Sequence, residues 1–275
     1  MAITAADVMK LRKATGAGMM DCKNALADAN GDFDAAVQII REKGKLVANK
    51  RSDREASEGV ALAGVSDDNK FGAIVVLNCE TDFVAKNEDF VNKTKSFLDA
   101  AIANKAADLE ALKALEVDGR TIESHVAEQS GVIGEKIELS FYAKVEAEAV
   151  VPYIHPGNKL ATLVGFNQGV ADVQILKDVA MQVAAMSPVA VDKDNVAPEV
   201  VEKELEIAKE KFRQEGKPEA MLDKIAQGAL NKFFKENTLL NQAFVKDNKQ
   251  TVKEYLQSAD KGLTVTEFVR TTLAE

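Results

Sequence analysis

Cysteine, histidine and gathered carboxylates are the side chains through which a chain does covalent or metal chemistry, and here they are few or scattered. The only cysteines are Cys22 and Cys79 and the only histidines His125 and His155. That is too small a set to build a structural zinc site or a histidine-based triad. The two cysteines are far apart and outside any CxxC pair, so they read as reduced thiols rather than a disulfide framework. Cys79 is followed by Glu80 and Asp82, and neighbouring carboxylates raise a thiol pKa and blunt its reactivity. Neither GxxxxGK[ST] nor GxGxxG occurs, so there is no glycine-rich phosphate loop. Aspartate and glutamate are plentiful, but they are surface unless a pocket gathers them. These residues propose no enzyme, no metal and no cofactor.

What stands out instead is a polar stretch between two apolar ones, Asn78-Cys79-Glu80-Thr81-Asp82-Phe83-Val84-Ala85-Lys86-Asn87. Residues 71–77 before it are apolar on both alternating faces, as in a strand covered on both sides. Residues 88–103 after it carry Phe90, Phe97 and Ala101 and, beside them, Val91, Leu98 and Ile102, at helical spacing. A strand ends, a corner follows and a helix begins, with Thr81 or Asp82 as its cap. Phe83 then falls in the first turn. It lies seven residues before Phe90, nearly in phase with it, and periodicity alone assigns it to the core. The competing reading makes the corner a rigid knuckle that presents an aromatic and an acid to a partner.

A second surface candidate lies near the amino terminus. Residues 1–44 read as three short helices: one capped by Thr4 with Asp7 at its third position, one from about 18 to a stop at Asn30-Gly31, and one from Asp32 to Gly44. Helices this short must pack as one bundle. On the second, Met19, Cys22 and Leu26 form the expected buried stripe, and Met20 lies about 100° off it. An incidental surface methionine is the common case; a soft contact for a partner is the alternative.

The remaining elements must hold these two surfaces. Residues 51–58 read as a charged connecting segment. Lys43, Lys45, Lys50, Arg51 and Arg54 form a basic cluster interleaved with Asp53, Glu55 and Glu58. Strands are expected at 59–65 and 71–79, joined as a hairpin, and at about 135–145, 147–154 and 160–166, with a Pro156-Gly157 turn after His155. Helices are expected at about 121–135 and 173–186. From Pro198, Val201, Leu205, Ala208 and Phe212 and then Leu222, Ile225, Ala229 and Phe233 make two apolar stripes around the Gly216-Lys217-Pro218 break. A helix near 252–256 and a strand near 263–273 follow. The fold expected is α+β: a three-helix domain (1–54), a core of two subdomains with antiparallel sheets (55–142, then 143–197 and 231–275), and an inserted antiparallel helical hairpin of coiled-coil type (198–230).

Composition bounds the partners. At 275 residues, with 46% hydrophobic and 29% charged residues, the chain is an ordinary globular protein. No apolar run approaches the roughly 20 residues that cross a bilayer, and the amino terminus has no basic n-region or apolar h-region. The expected place is the cytoplasm. A formal net charge of −9 argues against nucleic acid as the main partner.

Leu11-Arg12-Lys13-Ala14-Thr15-Gly16-Ala17-Gly18-Met19-Met20-Asp21-Cys22-Lys23-Asn24-Ala25-Leu26 and the stretch 78–87 together resemble the two signature motifs of the bacterial translation elongation factor Ts family. The resemblance extends to His155 and its flanking strands, the helical hairpin and Leu239-Leu240-Asn241-Gln242-Ala243-Phe244. It implies a UBA-like amino-terminal bundle and a guanine-nucleotide exchange factor for the GTPase elongation factor Tu, not an enzyme in its own right. It further implies that Arg12, Met19 and Met20 pack on a helix of the partner's GTPase domain. Asp82 and Phe83 would push in beside the magnesium and phosphate loops, with Thr81 and Val84 beside them also binding the partner, and His155 would approach the partner's third domain. His155 is flanked here by Pro156 and Asn158, a departure from the family pattern. An adaptor or scaffold that binds partners without releasing nucleotide is the competing class, and self-association through the hairpin is left open.

Overall fold

Thr4 starts the fold. Its hydroxyl accepts from the Asp7 N–H at 3.2 Å, and the Asp7 carboxylate accepts from the Thr4 N–H at 3.0 Å, a capping box that opens α1 (Ala5–Thr15). The computed structural model describes residues 3–273. α2 (Met19–Asp28) and α3 (Phe33–Lys50) complete a bundle around Val8, Leu11, Cys22, Leu26 and Ala36. Two expectations change here. α3 does not stop at Gly44 but continues to Lys50, because Gly44 is buried under a later helix instead of turning the chain. Met19 is 42% exposed, so the buried stripe of α2 is Cys22, Ala25 and Leu26. As the first residue of the helix, Met19 has no preceding turn to cover it.

β1 (Glu58–Val65) and β2 (Phe71–Cys79) form the expected hairpin, in antiparallel register from Val65↔Gly72 to Glu58↔Cys79. The chain then passes through a one-turn helix α4 (Asp82–Ala85), a long helix α5 (Glu88–Asn104), α6 (Leu109–Ala114), the two-residue strands β3 (Glu116–Val117) and β4 (Arg120–Thr121), and α7 (Ile122–Ile133). β5 (Glu138–Glu146) returns beside β2, giving the sheet order β1-β2-β5. A second antiparallel sheet has the order β10-β7-β6, from β6 (Ala149–Ile154), β7 (Leu160–Phe166) and the last strand β10 (Val265–Thr272). Between β7 and β10 lie α8 (Val173–Met186), the pair α9 (Pro198–Gln214) and α10 (Glu219–Asn237), the short strands β8 (Ala243–Phe244) and β9 (Asp247–Thr251), and α11 (Val252–Ala259).

The two three-stranded sheets face one another. Ala61, Ala63, Ile74 and Val76 meet Val150, Ala161 and Leu163 between them. On the far side of the first sheet, Val60, Leu62, Phe71, Val75 and Leu77 pack under Phe90, Phe97, Leu98, Leu112 and Ile122. On the far side of the second, Val151, Val164 and Phe166 pack under Leu176, Val179, Val183 and Leu256. β2 is therefore buried at all nine positions, odd side chains to the helices and even ones to the other sheet. This is the period-2 logic that makes a two-sided strand apolar throughout.

α9 and α10 pack on one another across the Gly216 turn, with Lys209–Asp223 at 2.5 Å and Arg213–Glu219 at 2.8 Å on their outer faces. The seam of α10 runs through Leu222, Ala226 and Leu230. Ile225, Ala229 and Phe233, expected there, are only half-buried. The helix also runs seven residues past 230, to Asn237.

Candidate functional site

At Cys79 the β2 ladder ends, and the chain turns on Thr81, whose extended backbone and hydroxyl cap α4. The long helix α5 has its own cap, Asn87, which accepts from the Asp89 N–H at 2.8 Å. The expectation that Thr81 or Asp82 caps the long helix is therefore corrected: the corner is a separate turn, and Asn87, in extended conformation, breaks the helical phase between residues 83 and 90. Phe83 is 83% exposed while Phe90 is 3% exposed. The core assignment that periodicity suggested for Phe83 is overturned. Val84 turns inward against the β1–β2 helix-side core, and Ala85 is buried.

Two carboxylates hold this turn, Glu135 from outside it and Glu80 from within it. Glu135, just past the end of α7, accepts from the N–H groups of Glu80 (3.0 Å) and Thr81 (3.1 Å) and from the Thr81 hydroxyl (2.7 Å). Glu80 accepts from the Lys136 N–H at 2.6 Å and from Arg51 and Arg54 at 2.8 and 3.0 Å. Arg51 and Arg54 of the charged connecting segment are thus tied to the corner. The Lys136 N–H first, then the two guanidinium groups, hold the Glu80 carboxyl down at about 2, against an ordinary 4.5. A depressed folded pKa stabilises the fold above the unfolded value, and that contribution disappears as pH falls from about 4.5 through about 2. Unfolding by urea followed between about pH 5 and pH 2 should show a smaller loss for Glu80→Gln than for the parent chain. Equal losses would detach Glu80 from the acid response.

Asp82 is half-exposed and pairs with Lys86 one turn on, at 2.5 Å, which lowers its pKa. The charge of Lys159 also reaches Asp82. Lys159 belongs to the turn after His155, pairs with Glu58 at 2.7 Å, and follows Asn158, whose carbonyl accepts from the Ala61 N–H at 2.7 Å. The corner and the His155 turn therefore lie side by side at one edge of the stacked sheets. His155 is exposed, with Nδ1 3.0 Å from the Tyr153 hydroxyl. Sequence reasoning missed Glu135, Glu58 and Lys159; nothing local marks a residue whose partner is dozens of positions away.

Arg12, Met19 and Met20 are exposed on α1 and α2, with Met20 65% exposed. They lie on the amino-terminal bundle, which is tied to the corner through α7. Val132 of α7 enters the bundle core, Arg41 lies 3.4 Å from Glu128, and Gly131 meets Gly44 at a backbone-to-backbone crossing. Cys79 offers no nucleophile. Burial first, and then the Glu135 carboxylate, push its thiol up to about 12, where the sequence had pointed to Glu80 and Asp82. His125 is buried with Nε2 2.7 Å from the Val117 carbonyl, and burial lowers its pKa. Among the described residues no group of three metal-ligating side chains gathers, and no helix is long and apolar enough to cross a membrane.

A large aromatic left in water by a rigid, over-determined turn costs apolar exposure that folding would otherwise remove. Phe83 at the corner and Met20 on the amino-terminal bundle are large apolar side chains exposed in this way. Comparison with known proteins gives the particular family. Residues 80–275 match the family model described as Elongation factor TS. Over 273 residues the chain is 53% identical to the elongation factor Ts of Azobacteroides pseudotrichonymphae, covering 99% of each chain. It is equally similar to those of Porphyromonas gingivalis, at 53% over 274 residues and 99% of each, and Christiangramia forsetii, at 53% over 272 residues and 98% of each. The chain belongs to the elongation factor Ts family.

Proposed function

We propose that this chain is a guanine-nucleotide exchange factor that binds elongation factor Tu in the cytoplasm and promotes GDP release during translation elongation, without covalent chemistry of its own. The observation that carries the reading is Phe83, held out into solvent by a corner braced on both sides. In this reading residues 1–54 are a UBA-like head that lays Arg12, Met19 and Met20 on a helix of the partner's GTPase domain. Asp82 and Phe83, positioned by Thr81 and Val84, enter beside the partner's magnesium and phosphate site, and His155 approaches its third domain.

The physics is a linkage. A P-loop GTPase holds GDP through backbone donors, a lysine and Mg²⁺, and Mg²⁺ tolerates little departure from octahedral geometry. Burying the Phe83 ring in the partner contributes about 1.5–3 kcal/mol toward a form whose magnesium and phosphate site is displaced. The factor by which the chain weakens GDP binding then equals the factor by which GDP weakens binding of the chain. The test is capture of elongation factor Tu by the immobilised chain with and without GDP, together with release of a fluorescent GDP analogue. Capture lost with GDP and faster release support the reading. Capture indifferent to GDP, with release unchanged, favours the adaptor.

A specific observation favours a second partner for the hairpin, a coiled coil in this reading. Ile207 is 51% exposed beside Phe212, Leu230 and Phe233, which line a shallow groove between α9 and α10. Self-association through that strip predicts a dimer mass by light scattering that reverts to monomer when residues 199–228 are deleted. A monomeric parent chain rules it out.

A further inference from the structure

Peptide N–H groups at residues 80 and 81 donate to one oxygen of Glu135, and the Thr81 hydroxyl donates to its other oxygen. In the reverse direction the Lys136 N–H donates to Glu80. Each carboxylate satisfies the backbone of the other's segment, where the β2–β5 ladder stops at Asn78↔Glu138. A reciprocal clasp takes over from the ladder just where the strands part. Glu80 then uses both its oxygens on Arg51 and Arg54, immediately after α3. Among the described residues no cation pairs with Glu135; its bonds all go to the corner.

We propose that Glu135 is the positioning residue of the exchange tip, and that Glu80 ties this tip to α3, so that both docking surfaces meet the partner as one rigid body. The inference rests on the tip reading above. α4 cannot supply this order itself: a single turn does not sustain a helix in water, and its cap bond, from the Val84 N–H to the Thr81 hydroxyl, is long at 3.5 Å. Hydrogen bonds to an ionised carboxylate are the stronger kind, and Glu135 supplies three of them to two adjacent residues. Without it, residues 81–84 become a mobile loop that must be ordered at each encounter. The wedge then loses the stiffness with which it displaces the partner's loops.

The experiment compares Glu135→Ala and Glu135→Gln with the parent chain, alone and combined with Phe83→Ala. Release of a fluorescent GDP analogue from elongation factor Tu is followed as the chain is raised to saturation. Amide hydrogen exchange is measured at residues 80–84 in the free chain. Glu135→Ala should lower the maximal release rate about tenfold, with half-saturation moved less than about threefold because the amino-terminal surface still docks. It should also speed exchange at residues 80–84 by at least about tenfold. Glu135→Gln, which keeps an acceptor oxygen, should recover most of both. In the Phe83→Ala background the loss should shrink to less than about twofold, since a tip without its ring has nothing to position. An undiminished loss in that background, or release at the parental rate, overturns the proposal. If Glu135→Ala fails to fold, Thr81→Val removes one of the three bonds together with the long cap bond from the Val84 N–H, and its release must slow in the same direction or the proposal fails. Parental release by Phe83→Ala would instead sink the tip reading, while the exchange measurement tests the clasp without the partner.

Discussion

Phe83→Ala slows GDP release from elongation factor Tu about ten- to a hundredfold at subsaturating chain and leaves the melting temperature of the free chain where it was. The two halves of this result have one cause. Phe83 is 83% exposed in the free chain, so the folded state gains little from the ring, and surface substitutions of this kind stay within about 0.5 kcal/mol. In the proposed exchange the ring's apolar area is removed from water only on the partner, where it would be worth about 1.5–3 kcal/mol. At about 1.4 kcal/mol per decade, that is one to two decades of release rate. A core residue would behave oppositely, costing about 3–5 kcal/mol of stability when cut to alanine. Calorimetry of the two chains beside stopped-flow release therefore separates the readings. Parental release with a lowered melting temperature would return Phe83 to the core.

The backbone frame of this tip was legible in the residues; its aim was not. Residues 71–77, apolar on both alternating faces, announced a strand covered on both sides, and the two-sheet stack with outer helices delivers that cover. The corner was legible too, because a strand pattern and a helix pattern meet across Thr81. Phe83 misled because counting seven residues back from Phe90 assumes one continuous helix. Asn87 interrupts it with φ −70° and ψ 128°, and every phase relation across that residue is lost. Met19 misled for a related reason: a periodic stripe says nothing of where a helix starts, and the first turn has no neighbour beneath it.

What stayed hidden is nonlocal. Glu135 lies 54 residues from Thr81 along the chain, and nothing in its neighbourhood separates it from the many surface carboxylates. Arg51 and Arg54 read only as part of a charged connecting segment because their partner, Glu80, sits beyond the whole first hairpin. The exposed surfaces rest on the resemblance for their meaning; exposure by itself would have left Met20 an ordinary surface methionine.

Gly44 and Gly131 carry the second large effect. Gly131→Val should part the amino-terminal bundle from the core and weaken binding to elongation factor Tu about tenfold or more, while each part keeps its own fold. A Cβ at residue 131 would stand 2.2 Å from the Gly44 Cα, and one at Gly44 would stand 3.2 Å from the Glu128 Cα. The first contact is backbone, with no side chain to swing aside, so α3 and α7 must separate. Overpacking of this kind costs about 1–3 kcal/mol, and the joint has an easier response than global unfolding. The bundle has its own core of Val8, Leu11, Cys22, Leu26 and Ala36, to which α7 lends only Val132. Once parted, the proposed contact surface of Arg12, Met19 and Met20 would no longer meet the partner in register with Phe83. The second contact then forms at the effective concentration of a tether instead of a fixed joint, and linked sites lose about 10²–10⁴ in avidity when simultaneous engagement is forbidden outright. Scattering should show a larger radius of gyration for Gly131→Val, and protease should cut the segment between α3 and β1 faster. Gly44→Ala, with its looser 3.2 Å contact, should show the same changes to a smaller degree. Parental compactness and parental affinity in Gly131→Val would mean that the glycine crossing does not hold the two docking surfaces together.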